Sequence, residues 1–134
     1  MLLIAFAQAP AQRGPVAVVV TSRRAGADAF AVKLAARLAA TLEREGAAGV
    51  LDDPKAQKRL KELGAPDPRG CQGAVTCVQK LAAALGSDAV VVSVDIGKVV
   101  SSLAVHVEAV TPSAEVLATS DFTLQVQTLS LIHI

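Results

Sequence analysis

The chain has 134 residues, 52% of them hydrophobic and 19% charged, with a mean hydropathy of +0.48. That length fits one domain and excludes a multidomain reading, and the apolar content excludes an intrinsically disordered chain. Thirteen Lys and Arg against twelve Asp and Glu leave a net charge of +1, and there are three Phe but no Trp or Tyr. Neither a strong field nor an aromatic stacking platform directs the chain to nucleic acid or to an anionic membrane.

In chain order, residues 1–7 form an uncharged apolar run, followed by small residues at Ala5, Ala7 and Ala9 in an A-x-A pattern. This is the later part of a secretory signal peptide without its basic start, so residues 1–14 are expected to be a signal-peptide remnant. No run reaches the roughly 18 apolar residues that a membrane-spanning helix needs. Residues 15–21 are a continuous, β-branched stretch, the pattern of a strand covered on both faces. Arg23-Arg24-Ala25-Gly26 closes it. From 27 to 45 the period becomes helical: Phe30, Leu34, Leu38 and Leu42 recur every four residues, with Lys33, Arg37 and Arg44 opposite. Gly46 ends that helix. Residues 47–51 read as a weak strand, and Asp52-Asp53-Pro54 as a helix start in which Asp53 caps and the proline takes the first turn. This second helix runs to Leu63, with Ala56, Leu60 and Leu63 facing inward.

Two prolines, two glycines and Cys71 make residues 65–73 a loop. A third helix from about 74 to 85 presents Val78, Leu81, Ala82 and Leu85. Three strands follow. Val90, Val92, Val94 and Ile96 share one face of the first, with a turn at Gly97-Lys98. Leu103, Val105, Val107 and Ala109 share one face of the second, with a turn at residues 111–114. In the third, residues 116–126 alternate, one face packed and one solvated. The order β-α-β-α-α-β-β-β implies an α/β (α+β) fold, a two-layer sandwich of a mixed sheet with helices on one face. The last six residues, Leu129-Ser130-Leu131-Ile132-His133-Ile134, match one reading frame of a transposon end used in sequencing libraries, so 129–134 is expected to be a sequencing-library scar. His133 is then no ligand, the natural protein continues past Thr128, and the working domain is 15–128.

Residues with chemical potential are few. Cys71 and Cys77 are the only cysteines, and in an exported chain an even count reads as a disulfide. Their spacing is longer than a Cys-x-x-Cys redox motif, and the neighbourhood offers no further zinc ligands. His106 and Glu108 share one side of a strand, where a proton shuttle or half a metal site could stand, with no nucleophile or third ligand placed beside them. Arg23 and Arg24 follow the first strand, where α/β folds bind anions, without the glycine spacing of a phosphate loop. Lys55, Lys58, Arg59 and Lys61 form a basic helix face. None of these is an active site: no catalytic residue, metal ligand or cofactor is expected.

The stretch from Val78 through Leu85-Gly86-Ser87-Asp88 to Val92, preceded by two close cysteines, resembles the amino-terminal α/β domain of TolB and the related CsgG-like envelope proteins, as does the turn from Val110 to Ala118. That family shows Asp and Gly where this chain has Thr111-Pro112-Ser113-Ala114. The resemblance spans about residues 15–123. It implies a periplasmic or outer-membrane-associated, non-catalytic module that docks an envelope protein partner, as the first part of a longer protein. The competing expectation is a small-ligand or enzymatic pocket near Arg23, Arg24 and Asp52.

Overall fold

A computed structural model describes residues 14–22, 27–99 and 102–125. The leader-like residues 1–13, the Arg23-Arg24 pair and the segment 129–134 with His133 lie outside the described residues. The elements are β1 (Val16–Val20), α1 (Asp28–Arg44), β2 (Val50–Leu51), α2 (Asp53–Glu62), a short 3-10 turn (Pro68–Gly70), α3 (Val75–Leu85), β3 (Val90–Val99), β4 (Ser102–Val110) and β5 (Val116–Gln125). This is the α/β class and the element order expected of the sequence.

The five strands form one mixed sheet in the order β2-β1-β3-β4-β5. β1 pairs in parallel with β2 and β3, and β3, β4 and β5 form an antiparallel meander. Every residue of β1 is buried. Val16, Val18 and Val20 pack with Ala31, Ala35, Ala39 and Leu42 of α1, whereas Ala17 and Val19 pack with Ala56 and Leu60 of α2 and Val78 and Leu81 of α3. Alternate strand residues face opposite ways, so α1 lies on one face and α2 with α3 on the other. This refines the one-face arrangement: the chain leaves β1 in one direction to reach β2 and returns past it to β3, and right-handed crossovers of opposite direction put their helices on opposite faces. On α1 the alanines, not the larger Phe30, Leu34 and Leu38, are fully buried. Small side chains let the helix sit close to the sheet while the larger ones pack around its flanks.

Three local expectations change. β3 does not turn at Gly97-Lys98 but pairs on to Val99, opposite Ser102. Gly97 pairs with Ala104 as an ordinary strand residue, so the ladder continues past the glycine. Leu63 follows α2 as its C-cap and is 40% exposed rather than inward. The cap of α2 is Asp52, whose Oδ1 accepts the Lys55 N–H at 3.1 Å, while Asp53 has already entered the helix.

That shift by one residue frees Asp53 for another task. β2 covers only Val16 and Ala17, because the chain turns into α2 at the Asp52 cap, so the end of β1 lacks a strand on that side. Asp53 Oδ1 accepts the Val20 N–H at 2.9 Å, and Arg69 reaches from the 3-10 turn to bind Asp53 Oδ2 at 3.1 Å and the Val20 carbonyl at 3.3 Å. Gln57 Nε2 donates to the same carboxylate at 3.1 Å. Two side chains thereby satisfy the backbone of a buried strand end. Asp53→Ala is expected to cost about 3 kcal/mol, because it strands the half-buried Arg69 and the Val20 N–H, whereas Asp52→Ala removes an exposed cap for about 1 kcal/mol. Urea denaturation of the two variants measures the difference, and equal losses would contradict the assignment.

Candidate functional site

The meander extends beyond the helices. On its α1 side Leu103, Val105, Val107 and Ala109 of β4 are buried, and on its other side Ser102, Ala104, His106 and Glu108 are half-exposed. The expected alternation holds for β4. It does not hold for β5, where no described residue is fully buried and Val116, Leu117 and Phe122 are each about 40% exposed. β5 is an edge strand with only β4 beside it among the described residues, so its packed face has half a neighbourhood.

Pairing places Asp95, His106 and Asp121 in one row across β3, β4 and β5. His106 Nδ1 is hydrogen-bonded to Asp121 Oδ1, and Nε2 lies 3.0 Å from Glu108 Oε1. Asp121 is the partner that sequence reasoning missed, having been counted only as a solvated alternate residue. The signal was present: a hairpin turning at 111–114 carries residue 106 close to residue 121. With a carboxylate on each ring nitrogen, both N–H groups are bonded only when the ring is protonated. Partial burial opposes the charge, but the hydrogen bonds to Asp121 and Glu108 and the negative charges of both outweigh it, so the His106 pKa is raised above 6.5.

This arrangement suits a clasp between strands better than a catalyst. A general base must aim a free nitrogen at the group it deprotonates, and both nitrogens here are taken. The buried hydroxyls of Ser93 and Thr21 bind each other at 2.7 Å, and Ser22 Oγ accepts the Ile96 N–H at 2.8 Å, so they continue the β1–β3 ladder by side chain. Among the described residues no cluster of three His, Cys, Asp or Glu is arranged to hold a metal.

Cys71 and Cys77 are joined by a disulfide, with Cα atoms 5.4 Å apart, between the 3-10 turn and the first turns of α3. It closes a loop in which Gly73, at φ +75°, lies so near β3 that a Cβ would stand 2.8 Å from Asp95 Cγ. Only glycine fits both the conformation and the approach. Of the residues expected to line a pocket, Asp52 caps α2, and Arg23 and Arg24 lie outside the described residues. A concavity of about 610 Å³ lies further along α2 and is lined by Gln57, Lys58, Lys61 and residues 64–68.

In fold the chain resembles the C-terminal domain of LpoB. The domain from Salmonella enterica matches with a TM-score of 0.54 at 15% identity, covering 92% of this chain and 93% of that one. The Escherichia coli domain matches at 0.52 and 13% identity, covering 92% and 96%. The solution structure of E. coli LpoB matches at 0.56 and 15%, covering 85% of this chain and 58% of that longer one. No protein-family model and no curated protein matches the sequence.

These findings overturn the TolB and CsgG-like resemblance. The residues that carried it do general work: Gly86, at φ +144°, ends α3, and the valines after Asp88 form β3. A helix stop followed by a buried strand is required wherever a crossover returns to a sheet. The turn supports the same conclusion. Ala114 takes the left-handed conformation at φ 67°, and Thr111 Oγ1 accepts the Glu115 N–H at 3.1 Å, without the Asp and Gly of that family.

The clasp gives a pH prediction. Because the folded pKa of His106 is raised, its stabilising contribution is fully present below the unfolded value of about 6.5 and is lost as pH rises through the folded pKa. Urea midpoints should therefore fall with rising pH from about 6 upward, and His106→Gln should flatten that segment of the profile. A wild-type profile that is level or rises across this range would contradict the clasp.

Proposed function

We propose that the chain is a non-catalytic protein-docking module of the bacterial cell envelope, and that it docks through the open edge of β5. The observation that carries this reading is the edge itself. β5 is ten residues long, Val-Leu-Ala-Thr-Ser-Asp-Phe-Thr-Leu-Gln, with one charged side chain and no proline or lysine. Edges that are not meant to pair are shortened, charged or interrupted by proline; this one carries a single bulge near its start, beside Val110, and is regular beyond it. An extended partner segment added there gains main-chain hydrogen bonds from the strand and apolar contact with Phe122 and Leu124. The opposite edge, β2, has two residues and offers no such template.

The envelope assignment rests on the export-like pattern of residues 1–14 and on the Cys71–Cys77 bond, which suits an oxidising compartment. On this reading residues 15–128 are the working domain and 129–134 are foreign to it. From the LpoB domains the reading takes the fold and carries over no residue. No helix among the described residues is long and apolar enough to cross a membrane.

Two measurements test the proposal. A photo-crosslinking amino acid at Thr123 on β5, in chain exported to a Gram-negative periplasm, should give a discrete adduct with an envelope protein, and the same amino acid at Arg37 on α1 should not. Equal adducts from both positions would remove the edge reading. Thiol labelling of the undenatured, unreduced exported chain should find neither cysteine reactive; two free thiols would remove the support from compartment.

A further inference from the structure

A second surface is built on the other half of the molecule, at the groove between α2 and the chain that follows it. One wall is the helix, contributing Gln57, Lys58 and Lys61; the other is the loop of residues 64–68, which is apolar but for Asp67. The loop is fastened to the helix end: the Gly64 N–H donates to the Lys61 carbonyl at 3.1 Å and the Ala65 N–H to the Leu60 carbonyl at 3.0 Å. Two prolines fix φ on either side of Asp67, whose Oδ1 accepts the Arg69 N–H at 3.1 Å. The groove is therefore formed before any ligand arrives.

Its helix wall is basic. Of the acidic residues on and beside α2, Asp52 caps the helix, Asp53 is turned inward to Arg69, and Glu62 lies 3.8 Å from Arg59. Lys55, Lys58 and Lys61 are exposed and have no ion-pair partner among the described residues. In a chain of net charge +1, this leaves two lysines along one wall of a groove whose other wall is apolar except for Asp67.

We propose that this groove binds an extended acidic peptide segment of a partner protein, with carboxylates on Lys58 and Lys61 and apolar side chains against Ala65, Pro66 and Pro68. The spacing fits. Lys58 and Lys61 stand three apart on the helix, where side chains lie about 5–6 Å from each other, and alternate residues of an extended strand repeat at about 6.6 Å on one side. Residues between them point the other way, toward the prolines. The lysines on one wall and the prolines on the other set the orientation: acids to the helix, apolar groups to the loop. This site lies away from β5 and adds a contact to the docking module rather than restating it.

Fluorescence anisotropy with the full chain and a labelled Glu-Leu-Glu-Leu-Glu peptide tests it. The peptide should bind, more weakly as salt rises, and the double variant Lys58→Glu/Lys61→Glu should lose at least tenfold in affinity with an unchanged circular-dichroism spectrum. The same variant should gain affinity for Lys-Leu-Lys-Leu-Lys, a charge swap that general damage to the fold does not produce. A Glu-Ser-Glu-Ser-Glu peptide should bind at least fivefold more weakly than the leucine peptide. Absence of binding, binding unaffected by the double variant, or equal binding of the serine peptide would overturn the proposal. Failure of the β5 crosslinks would leave these results untouched, and their failure would leave the crosslinks untouched.

Discussion

The structure depends on how one buried strand is finished. β1 is central and covered on both faces, yet β2 accompanies it for only two residues. Beyond that point its backbone would be unsatisfied in an apolar interior, at a cost of roughly 1–3 kcal/mol for each orphaned group. Asp53 and Arg69 stand in for the missing strand, one taking the N–H of Val20 and the other its carbonyl. Both are tied to elements that must be positioned anyway: Asp53 begins α2, and Arg69 sits in the turn leading to the disulfide loop. A single ion pair thus ties the start of α2 to the turn at Pro68–Gly70.

From this anchored half the sheet runs outward with decreasing cover. β1 is enclosed, β3 is largely enclosed, β4 is buried on one face, and β5 is half-covered at best. The apolar material is mostly Ala, Val and Leu, side chains that fill a thin interior but do not reach far over an edge. At the edge, a cross-strand bond from His106 to Asp121 and a backbone ladder to β4 take over from packing. The same gradient that makes β5 the least supported strand leaves it the most available one.

The elements were legible in the sequence where one physical signal dominated. The valine run of β1, the four-residue period of α1 and the glycine stops after α2 and α3 each appear where their pattern places them. What was not legible came from tertiary pairing. Asp52 and Asp53 are chemically identical, and only the absence of a third β2 residue decides that the first caps and the second turns inward. Arg69 carries no local sign of its role, because its partner is sixteen residues earlier and its carbonyl acceptor forty-nine earlier. The turn at Gly97-Lys98 was misplaced because glycine permits a turn without requiring one, and strand pairing extended through it. The family resemblance failed for a related reason: a helix stop before a valine-rich strand is a demand of the crossover, so it recurs in domains whose identities differ.

Both candidate surfaces follow from what the core does not use. On α2 the inward positions are spent on Ala56, Leu60 and Asp53, and the outward ones carry cations whose nearby acids are already engaged. On β5 the inward face is half-spent and the outer backbone row has no described partner. A catalytic site would show the opposite economy: polar groups converging on one point with an unsatisfied atom aimed at a substrate. Here the internal polar groups satisfy one another. Ser93 bonds Thr21, Ser22 bonds the Ile96 N–H, and His106 lies between two carboxylates. Among the described residues an edge and a basic groove stay open to the outside, the two surfaces proposed here for docking.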